Sequence, residues 1–331
     1  MLKLSKNKKA QMDRLSSADG KISALAIDQR GALKKMITAL GKDASYDVIS
    51  GFKQLISSEL TKYSSAILLD PEYGLEAARV RDANSGLLLA YEKTGYDATK
   101  VGRLPDLLDD WSVLRLKNEG ADAVKFLLYY DIDEDPKINH LKHVFTERLG
   151  NECAGEDIPF YLELVSYDAD NADSASPEYA KVKPHKVNDM MRVFSDAKYK
   201  VDVLKVEVPV NMNYVDAYAT NGTQAVYTAD EAARHFKEQS DCTDLPFIFL
   251  SAGVSAALFQ ETLVFAHDAG STFNGVLCGR ATWKNGVAPF VTENANVARD
   301  WVLSEGVKNI TELAEVVNKN ASSWHGKVEV V

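Results

Sequence analysis

Four strand-like segments of this sequence each carry an ionisable side chain near their carboxyl end. These side chains are Asp28, Lys125, Glu163 and Lys205. Alternate residues of a strand face opposite sides, so each ionisable group opposes the large apolar side chains of its segment. A buried charge without a partner costs on the order of several kcal/mol. We therefore expect the four groups to meet and pair in one interior.

Two neighbouring lysines have a specific chemical use. Burial and a nearby positive charge both lower the pKa of an amine, which yields the neutral nucleophile that attacks a ketone. The pair Lys125 and Lys205 therefore predicts Schiff-base chemistry, and Glu163 suits the transfer of protons during carbinolamine formation and dehydration. The alternative is a structural ion-pair network in which Glu163, Asp28 and Glu207 neutralise the two lysines.

The elements that must position these groups are eight short apolar runs that alternate with amphipathic stretches. Stretches 106–118 and 256–269 have apolar residues at helical spacing. The pattern predicts an α/β protein: one (β/α)8 barrel over residues 1–331, with an extra N-terminal helix and helical or loop insertions. An open doubly wound sheet is the alternative, but its usual G-x-G-x-x-G turn is not found after the first run. The runs cover residues 22–28, 65–70, 86–91, 121–129, 159–165, 201–209, 246–251 and 275–279.

Two long polar segments interrupt the alternation. Segments 167–191 and 211–228 predict loops with short helices, placed on the active face of the barrel or at an oligomer contact. Within the first segment, residues 183–186 (KPHK) favour a solvated loop over a rim that attracts a second phosphate.

The last two runs are followed by residues that suit phosphate. In (β/α)8 enzymes the loops after the seventh and eighth strands often bind phosphate through backbone N–H groups. Ser251 offers a hydroxyl, Gly253 and Gly279 allow close backbone approach, and Arg280 offers a bidentate cationic fork. Either motif alone fits an ordinary turn or a surface ion pair. Together they favour a phosphorylated substrate.

Composition and charge exclude several classes of function. The 331 residues carry a net charge of −10, which argues against nucleic acid or an anionic membrane as partner. No membrane-length apolar run or signal peptide is found, so we expect a cytoplasmic location. Three widely spaced cysteines fit reduced thiols. A metal site at His140, His143 and Glu147 is an alternative, although a polar surface helix explains that spacing better.

Several segments resemble one family, the tagatose-1,6-bisphosphate aldolases of the Gram-positive lactose and galactose pathway. The likeness extends from the N-terminal region to beyond Trp283. It is carried by AIDQRGAL (26–33), LLDPEYG (68–74), LAYEKTGY (89–96), DAVKFLLYY (122–130), LKVEVP (204–209) and LSAGVS (250–255).

The resemblance implies a class I aldolase that uses neither metal nor cofactor. It would cleave a ketohexose bisphosphate into dihydroxyacetone phosphate and glyceraldehyde 3-phosphate, and it would form a homo-oligomer. Carried over by motif, Lys205 is the Schiff-base lysine and Glu163 the proton shuttle, while Lys125 and Asp28 polarise and orient the substrate hydroxyls. The remaining predicted contacts are those to the phosphate nearest the Schiff base and one further substrate contact, namely Ser251, Gly253, Gly279 and Arg280, and Gln29.

Three alternatives stay open beside this interpretation. In the first, fructose 1,6-bisphosphate, the C4 epimer, is an additional or a different substrate. In the second, the substrate is a sulfonated ketose phosphate. In the third, the chain is a metabolite-binding regulatory protein on an aldolase scaffold, since fold does not determine function.

Overall fold

A closed barrel of eight parallel strands forms the centre of the computed structural model, which describes residues 1–93, 100–219 and 222–331. The strands follow one another in chain order, and the last pairs with the first through Leu25 and Cys278. Each predicted apolar run overlaps one of these strands, and β5 and β6 extend one residue beyond their runs, so the predicted (β/α)8 barrel is confirmed. They are β2 (Ile22–Ala26), β3 (Ala66–Leu69), β4 (Gly86–Ala90), β5 (Ala123–Tyr130), β6 (Phe160–Ser166), β7 (Val203–Val206), β8 (Phe247–Phe249) and β9 (Gly275–Cys278).

Helices surround the barrel, and a small second sheet lies apart from it. In that sheet, β1 (Leu2–Leu4) pairs in parallel with β10 (Val328–Val330). The helices are α1 (Lys6–Arg14), α2 (Gly31–Ala39), α3 (Tyr46–Leu60), α4 (Leu75–Arg79), α5 (Val113–Asn118), α6 (Pro136–Gly155), α7 (Pro177–Phe194), α8 (Ala229–Asp241), α9 (Ala256–Asp268), α10 (Arg280–Trp283), α11 (Val287–Thr292), α12 (Ala295–Trp301) and α13 (Val307–Asn320). The predicted extra N-terminal helix is α1. None of the helices in the described ranges combines the length and the apolar composition needed to cross a membrane.

The period-two pattern of the strands separates two apolar layers. Small or apolar residues such as Ala24, Ala26 and Val203 fill the barrel interior. Residues of the opposite parity, such as Leu25 and Leu204, pack against the surrounding helices. Lys125, Glu163 and Lys205 have the interior parity of their strands, as the sequence predicted.

Two predictions about helices are wrong. The stretch 106–118 is helical only from Val113, because Ser112 caps that helix by accepting a hydrogen bond from the backbone of Arg115. Leu107 instead forms an antiparallel bridge with Glu92.

The polar segment 167–191 is the second error, because it contributes most of a long helix. This helix, α7, begins at Pro177, where the Ser176 side chain accepts from Tyr179 N–H. Pro184 lies inside α7 and removes one hydrogen-bond donor, which is why the local sequence argued against a long helix. In the segment 211–228, Met212–Tyr214 forms a 3-10 turn, which agrees with the predicted loop. Residues 220–221, and residues 94–96 of the family-like segment 89–96, lie outside the described residues.

Candidate active site

A cavity of about 860 Å³ opens at the carboxyl ends of the barrel strands. Its floor is formed by charged side chains from β5, β6 and β7 and by Asp28, two residues after the end of β2. Its walls come from the loops after β8 and β9 and from α7. Every site residue predicted from the sequence lines this cavity: Asp28, Gln29, Lys125, Glu163, Lys205, Ser251, Gly253, Gly279 and Arg280.

Glu163 lies between the two lysines on the cavity floor. Its Oε1 is 2.7 Å from Lys205 Nζ, and its Oε2 is 2.6 Å from Lys125 Nζ. Strand register explains the first contact, because Glu163 on β6 is the partner of Lys205 on β7. All three side chains are buried. One carboxylate can therefore exchange protons with either amine.

The two lysines differ in how many carboxylates surround them. Lys125 Nζ contacts Asp28 at 3.0 Å and Glu92 at 2.6 Å in addition to Glu163. Burial alone would lower the pKa of Lys125, but these three carboxylates together raise it well above its ordinary value. Within the described ranges, Lys205 forms an ion pair with Glu163 alone. Lys125 is thus a constant cation, whereas Lys205 has a single partner.

The same two lysines stabilise the ionised forms of Asp28 and Glu163. Burial would raise the pKa of Asp28, yet the charges of Lys125 and Lys205 outweigh burial and hold it below its ordinary range. The same opposition, with the same two lysines, lowers the pKa of Glu163. The cluster contains two amines and three carboxylates in direct contact.

Sequence reasoning missed one member of this cluster, Glu92. Its side chain is buried, and it accepts hydrogen bonds from Lys125 Nζ and from the backbone N–H of Leu127. Glu92 follows β4 and has the same parity as Leu88 and Ala90 in the barrel interior. That period-two continuation beyond the apolar run was the signal that could have revealed it.

Glu207, which the alternative of a structural ion-pair network assigned to the two lysines, does not contact either of them. Its carboxylate lies 3.4 Å from Lys183 Nζ and accepts the Ser166 hydroxyl at 2.5 Å. Glu207 lies just beyond the end of β7, and it pairs there with Lys183 of α7. Lys183 is only 7% exposed and lines the cavity, so the predicted solvated loop at 183–186 is wrong.

The loops after β8 and β9 form a second wall of the cavity. Gly253 has φ +81°, and a Cβ there would lie 3.1 Å from a guanidinium nitrogen of Arg280. A Cβ at Gly279 would lie 2.9 Å from the carbonyl oxygen of Ala26 and 3.2 Å from Gln29 Nε2. A side chain would therefore strain the backbone at position 253 and would meet the backbone of Ala26 at position 279. Arg280 is exposed and forms no ion pair within the described ranges. The alternative interpretation of Arg280 as part of a surface ion pair is therefore not supported.

The histidines of the alternative metal site lie elsewhere. His140 and His143 are on α6, outside the barrel, and the His143 ring lies 2.9 Å from the Tyr130 hydroxyl. Burial lowers the pKa of His143. In the part of the chain that the structure describes, no group of three or more His, Cys, Asp or Glu side chains is arranged to hold a metal ion.

The fold and the cavity define a (β/α)8 barrel with a lysine–carboxylate cluster in a cavity that opens at the carboxyl ends of its strands. The family model of the DeoC/LacD family aldolases matches residues 22–285, and the chain belongs to that family. It is therefore an aldolase, a lyase.

Named relatives are similar over their full length. Tagatose 1,6-diphosphate aldolase 2 of Enterococcus faecalis is 70% identical over 330 residues, which cover 100% of this chain and 99% of the relative. Tagatose 1,6-diphosphate aldolase 2 of Streptococcus pyogenes serotype M1 is 57% identical, with 98% and 99% covered.

Solved structures share the fold at low identity. Fructose-bisphosphate aldolase from Plasmodium falciparum has a TM-score of 0.70 at 16% identity, with 97% of each chain covered. An archaeal fructose-1,6-bisphosphate aldolase with its catalytic lysine bound to the carbinolamine has a TM-score of 0.59 at 15% identity, with 94% of this chain and 99% of that chain covered.

Proposed function

We propose that this chain is a class I aldolase that cleaves D-tagatose 1,6-bisphosphate into dihydroxyacetone phosphate and D-glyceraldehyde 3-phosphate through a Schiff base on Lys205. The observation that carries the proposal is the position of Glu163, within 2.7 Å of Lys205 and 2.6 Å of Lys125 on the cavity floor. The names of the relatives that are 70% and 57% identical support the choice of substrate.

Lys205 is the nucleophile because the neighbouring Glu163 carboxylate can accept its proton. Three carboxylates surround Lys125 and keep it protonated. Lys205 has one partner, Glu163, and proton transfer to that carboxylate leaves a neutral amine. The amine attacks the C2 carbonyl of the open-chain ketose, and Glu163 then returns the proton as the carbinolamine loses water.

The resulting iminium is the electron sink for cleavage. Glu163, a carboxylate again after dehydration, takes the C4 hydroxyl proton as the C3–C4 bond breaks and glyceraldehyde 3-phosphate leaves, while the electron pair of the bond forms an enamine. Return of that proton to C3 of the enamine regenerates the iminium, and its hydrolysis by water releases dihydroxyacetone phosphate and free Lys205. Lys125 and Asp28, 3.0 Å apart, polarise and orient the hydroxyls around the bond that breaks.

The phosphate nearest the Schiff base binds between the loops after β8 and β9. Ser251 donates its hydroxyl, and the backbone at Gly253 and Gly279 allows an oxyanion to approach closely. Arg280 supplies a cation that no carboxylate of the described residues neutralises. Gln29, whose Nε2 is 3.1 Å from Asp28, contacts the sugar from the side of β2.

Borohydride trapping tests the proposal. The protein is incubated with tagatose 1,6-bisphosphate or dihydroxyacetone phosphate in EDTA, reduced, and analysed by intact mass and peptide mapping. We expect a substrate-dependent adduct on Lys205. An adduct on another residue would refute the assignment of the nucleophile. Cleavage that is lost on chelation, with no adduct, would indicate a metal mechanism, and absence of both adduct and cleavage would favour a binding protein.

The choice of epimer is tested on the same protein. Tagatose 1,6-bisphosphate and fructose 1,6-bisphosphate differ only at C4, so the ratio of their kcat/KM values measures how the site distinguishes that hydroxyl. We expect tagatose 1,6-bisphosphate to be cleaved with the higher kcat/KM, and the reverse order would move the assignment to fructose 1,6-bisphosphate. A sulfonated ketose phosphate, added as a third substrate, tests the remaining alternative.

The proposal includes a homo-oligomer and a cytoplasmic location. The first is implied by the family resemblance, and light scattering at several protein concentrations tests it. The second follows from the substrate, because a doubly phosphorylated sugar does not cross a membrane unaided. Fractionation of the native cells tests the second.

A further inference from the structure

Glu92 is a buried carboxylate of the cavity that contacts Lys125 but has no role of its own in the proton transfers of the proposed mechanism. It is 3% exposed, lines the cavity, and lies 2.6 Å from Lys125 Nζ. Its second carboxylate oxygen accepts the backbone N–H of Leu127 at 3.1 Å. Glu92 thus holds Lys125 on the side away from Lys205.

A second cation holds Glu92 in turn. One Arg30 Nη is 4.0 Å from the Glu92 carboxylate, and it donates to the Glu92 carbonyl oxygen at 2.8 Å. Arg30 is itself paired with Glu72. The order of contacts is Glu72, Arg30, Glu92, Lys125, Glu163 and finally Lys205. Alternating charges therefore lead from the rim of the barrel to the nucleophile.

We propose that Glu92 is a positioning residue that shares the charge of Lys125 and thereby leaves Glu163 able to accept the proton of Lys205. The inference rests on the proposed function. In the described ranges, the ion pairs of Lys125 are with Asp28, Glu92 and Glu163, and those of Glu163 are with Lys125 and Lys205. Asp28 and Tyr129 also interact electrostatically with Glu163.

The reason is the proton balance of the Lys205–Glu163 pair. The reactive state has a neutral amine on Lys205 and a protonated Glu163, and Lys125 opposes it because a cation stabilises the Glu163 carboxylate. Glu92 counters that attraction by neutralising part of the Lys125 charge. Loss of the Glu92 charge therefore lowers the proton affinity of Glu163 and reduces the reactive fraction.

The test is Glu92→Gln, which keeps the shape and removes the charge. We expect the plateau value of kcat/KM to fall about tenfold. The acidic limb of the kcat/KM–pH profile should move about one pH unit lower, because Lys205 and Glu163 act as a coupled pair. The same substrate is used throughout, so its own phosphate ionisation is common to all profiles. Glu92→Asp, which keeps the charge, should return the limb to its wild-type position.

Asp202→Asn is the matched control. Asp202 is also a buried carboxylate, paired with Lys8 at 2.6 Å and bonded to the backbone N–H of Phe160 at 2.8 Å, but it does not line the cavity. We expect a lower Tm and an acidic limb at the wild-type pH. An acidic limb of Glu92→Gln that stays in place, or that moves to higher pH, would overturn the inference.

A second variant covers the case in which Glu92→Gln does not fold. Arg30→Gln removes a cation that competes with Lys125 for the charge of Glu92, so the acidic limb should move to higher pH. An acidic limb that stays in place or moves to lower pH would also overturn the inference. The borohydride adduct separates the two proposals. Wild-type protein without an adduct on Lys205 contradicts the proposed function, whereas an adduct together with an unmoved limb in Glu92→Gln contradicts only the role of Glu92.

Discussion

At the residue scale, the contrast between Lys125 and Lys205 carries the chemistry. Both amines are buried and both contact Glu163, yet three carboxylates hold the proton of Lys125 and one holds that of Lys205. Residue type alone does not distinguish them. In the proposed mechanism, the number of anions within contact distance distinguishes the nucleophile from the permanent cation.

Lys205→Ala and Arg280→Ala should therefore fail in different ways. The first removes the covalent step, and we expect kcat to fall by about four orders of magnitude or more. The second removes charge-assisted hydrogen bonds to phosphate, so KM should rise roughly 10- to 100-fold while kcat changes little. Steady-state kinetics on both variants measure this difference.

Arg299→Ala is the control for the arginine. Arg299 is also an exposed arginine, it pairs with Glu59 at 2.9 Å, and it does not line the cavity. Its KM should equal that of the wild type. A Lys205→Ala protein with near-native turnover would contradict the assignment of the nucleophile.

At the element scale, the loop between β8 and α9 lies against the guanidinium of Arg280. The loop turns through Gly253 at φ +81°, and the Arg280 guanidinium rests against this glycine. An ordinary side chain at position 253 would strain the backbone and displace the guanidinium at the same time.

Gly253→Ala should separate these two effects when it is compared with Gly120→Ala. Gly120 has φ +90° and no atom within 4 Å of the Cβ position, so both variants should lose about 1 kcal/mol of unfolding free energy. Only Gly253→Ala should raise KM, because only there does the methyl group meet Arg280. Denaturant unfolding and steady-state kinetics give the two readouts, and equal KM values in the two variants would show that Arg280 is positioned independently of the loop.

At the scale of the whole molecule, the charged cluster couples stability to pH. The pKa values of Asp28 and Glu163 are lower in the folded chain than their ordinary values of 3.8 and 4.5. Their contribution is therefore present above those ordinary values and is lost as pH falls through the folded pKa values. Lys125, with a raised pKa, contributes fully below its ordinary value of 10.5 and loses that contribution only as pH rises through its folded pKa.

Wild-type protein should thus become less stable as pH falls below about 4.5, and Lys125→Met should reverse part of that trend. Without the ammonium, the buried carboxylates of Asp28 and Glu92 lose a direct partner, so at neutral pH the variant should be less stable by about 3–5 kcal/mol. Protonation of Asp28 in acid should reduce the deficit. Unfolding free energies measured from pH 2 to pH 8 test both expectations, and a constant difference between the two proteins across that range would contradict the second.

Local periodicity in the sequence determined the barrel and the location of its site. Alternation of apolar residues along each run reports which side faces the interior, and this property needs no knowledge of other segments. It was enough to find the eight strands and to place Asp28, Lys125, Glu163 and Lys205 on the inner face. The periodicity did not reveal α7, because this helix has an internal proline and a polar composition. Tertiary packing stabilises it despite its low intrinsic helix propensity.

Only the tertiary structure decided which charges pair. The order of strands around the barrel puts Glu163 between Lys125 and Lys205, and it adds Glu92 from the end of β4. Packing of α7 over β7 gives Glu207 to Lys183 instead of to the lysine cluster. Ion pairs depend on distances of a few ångströms between segments far apart in sequence, and those distances exist only after the barrel has closed.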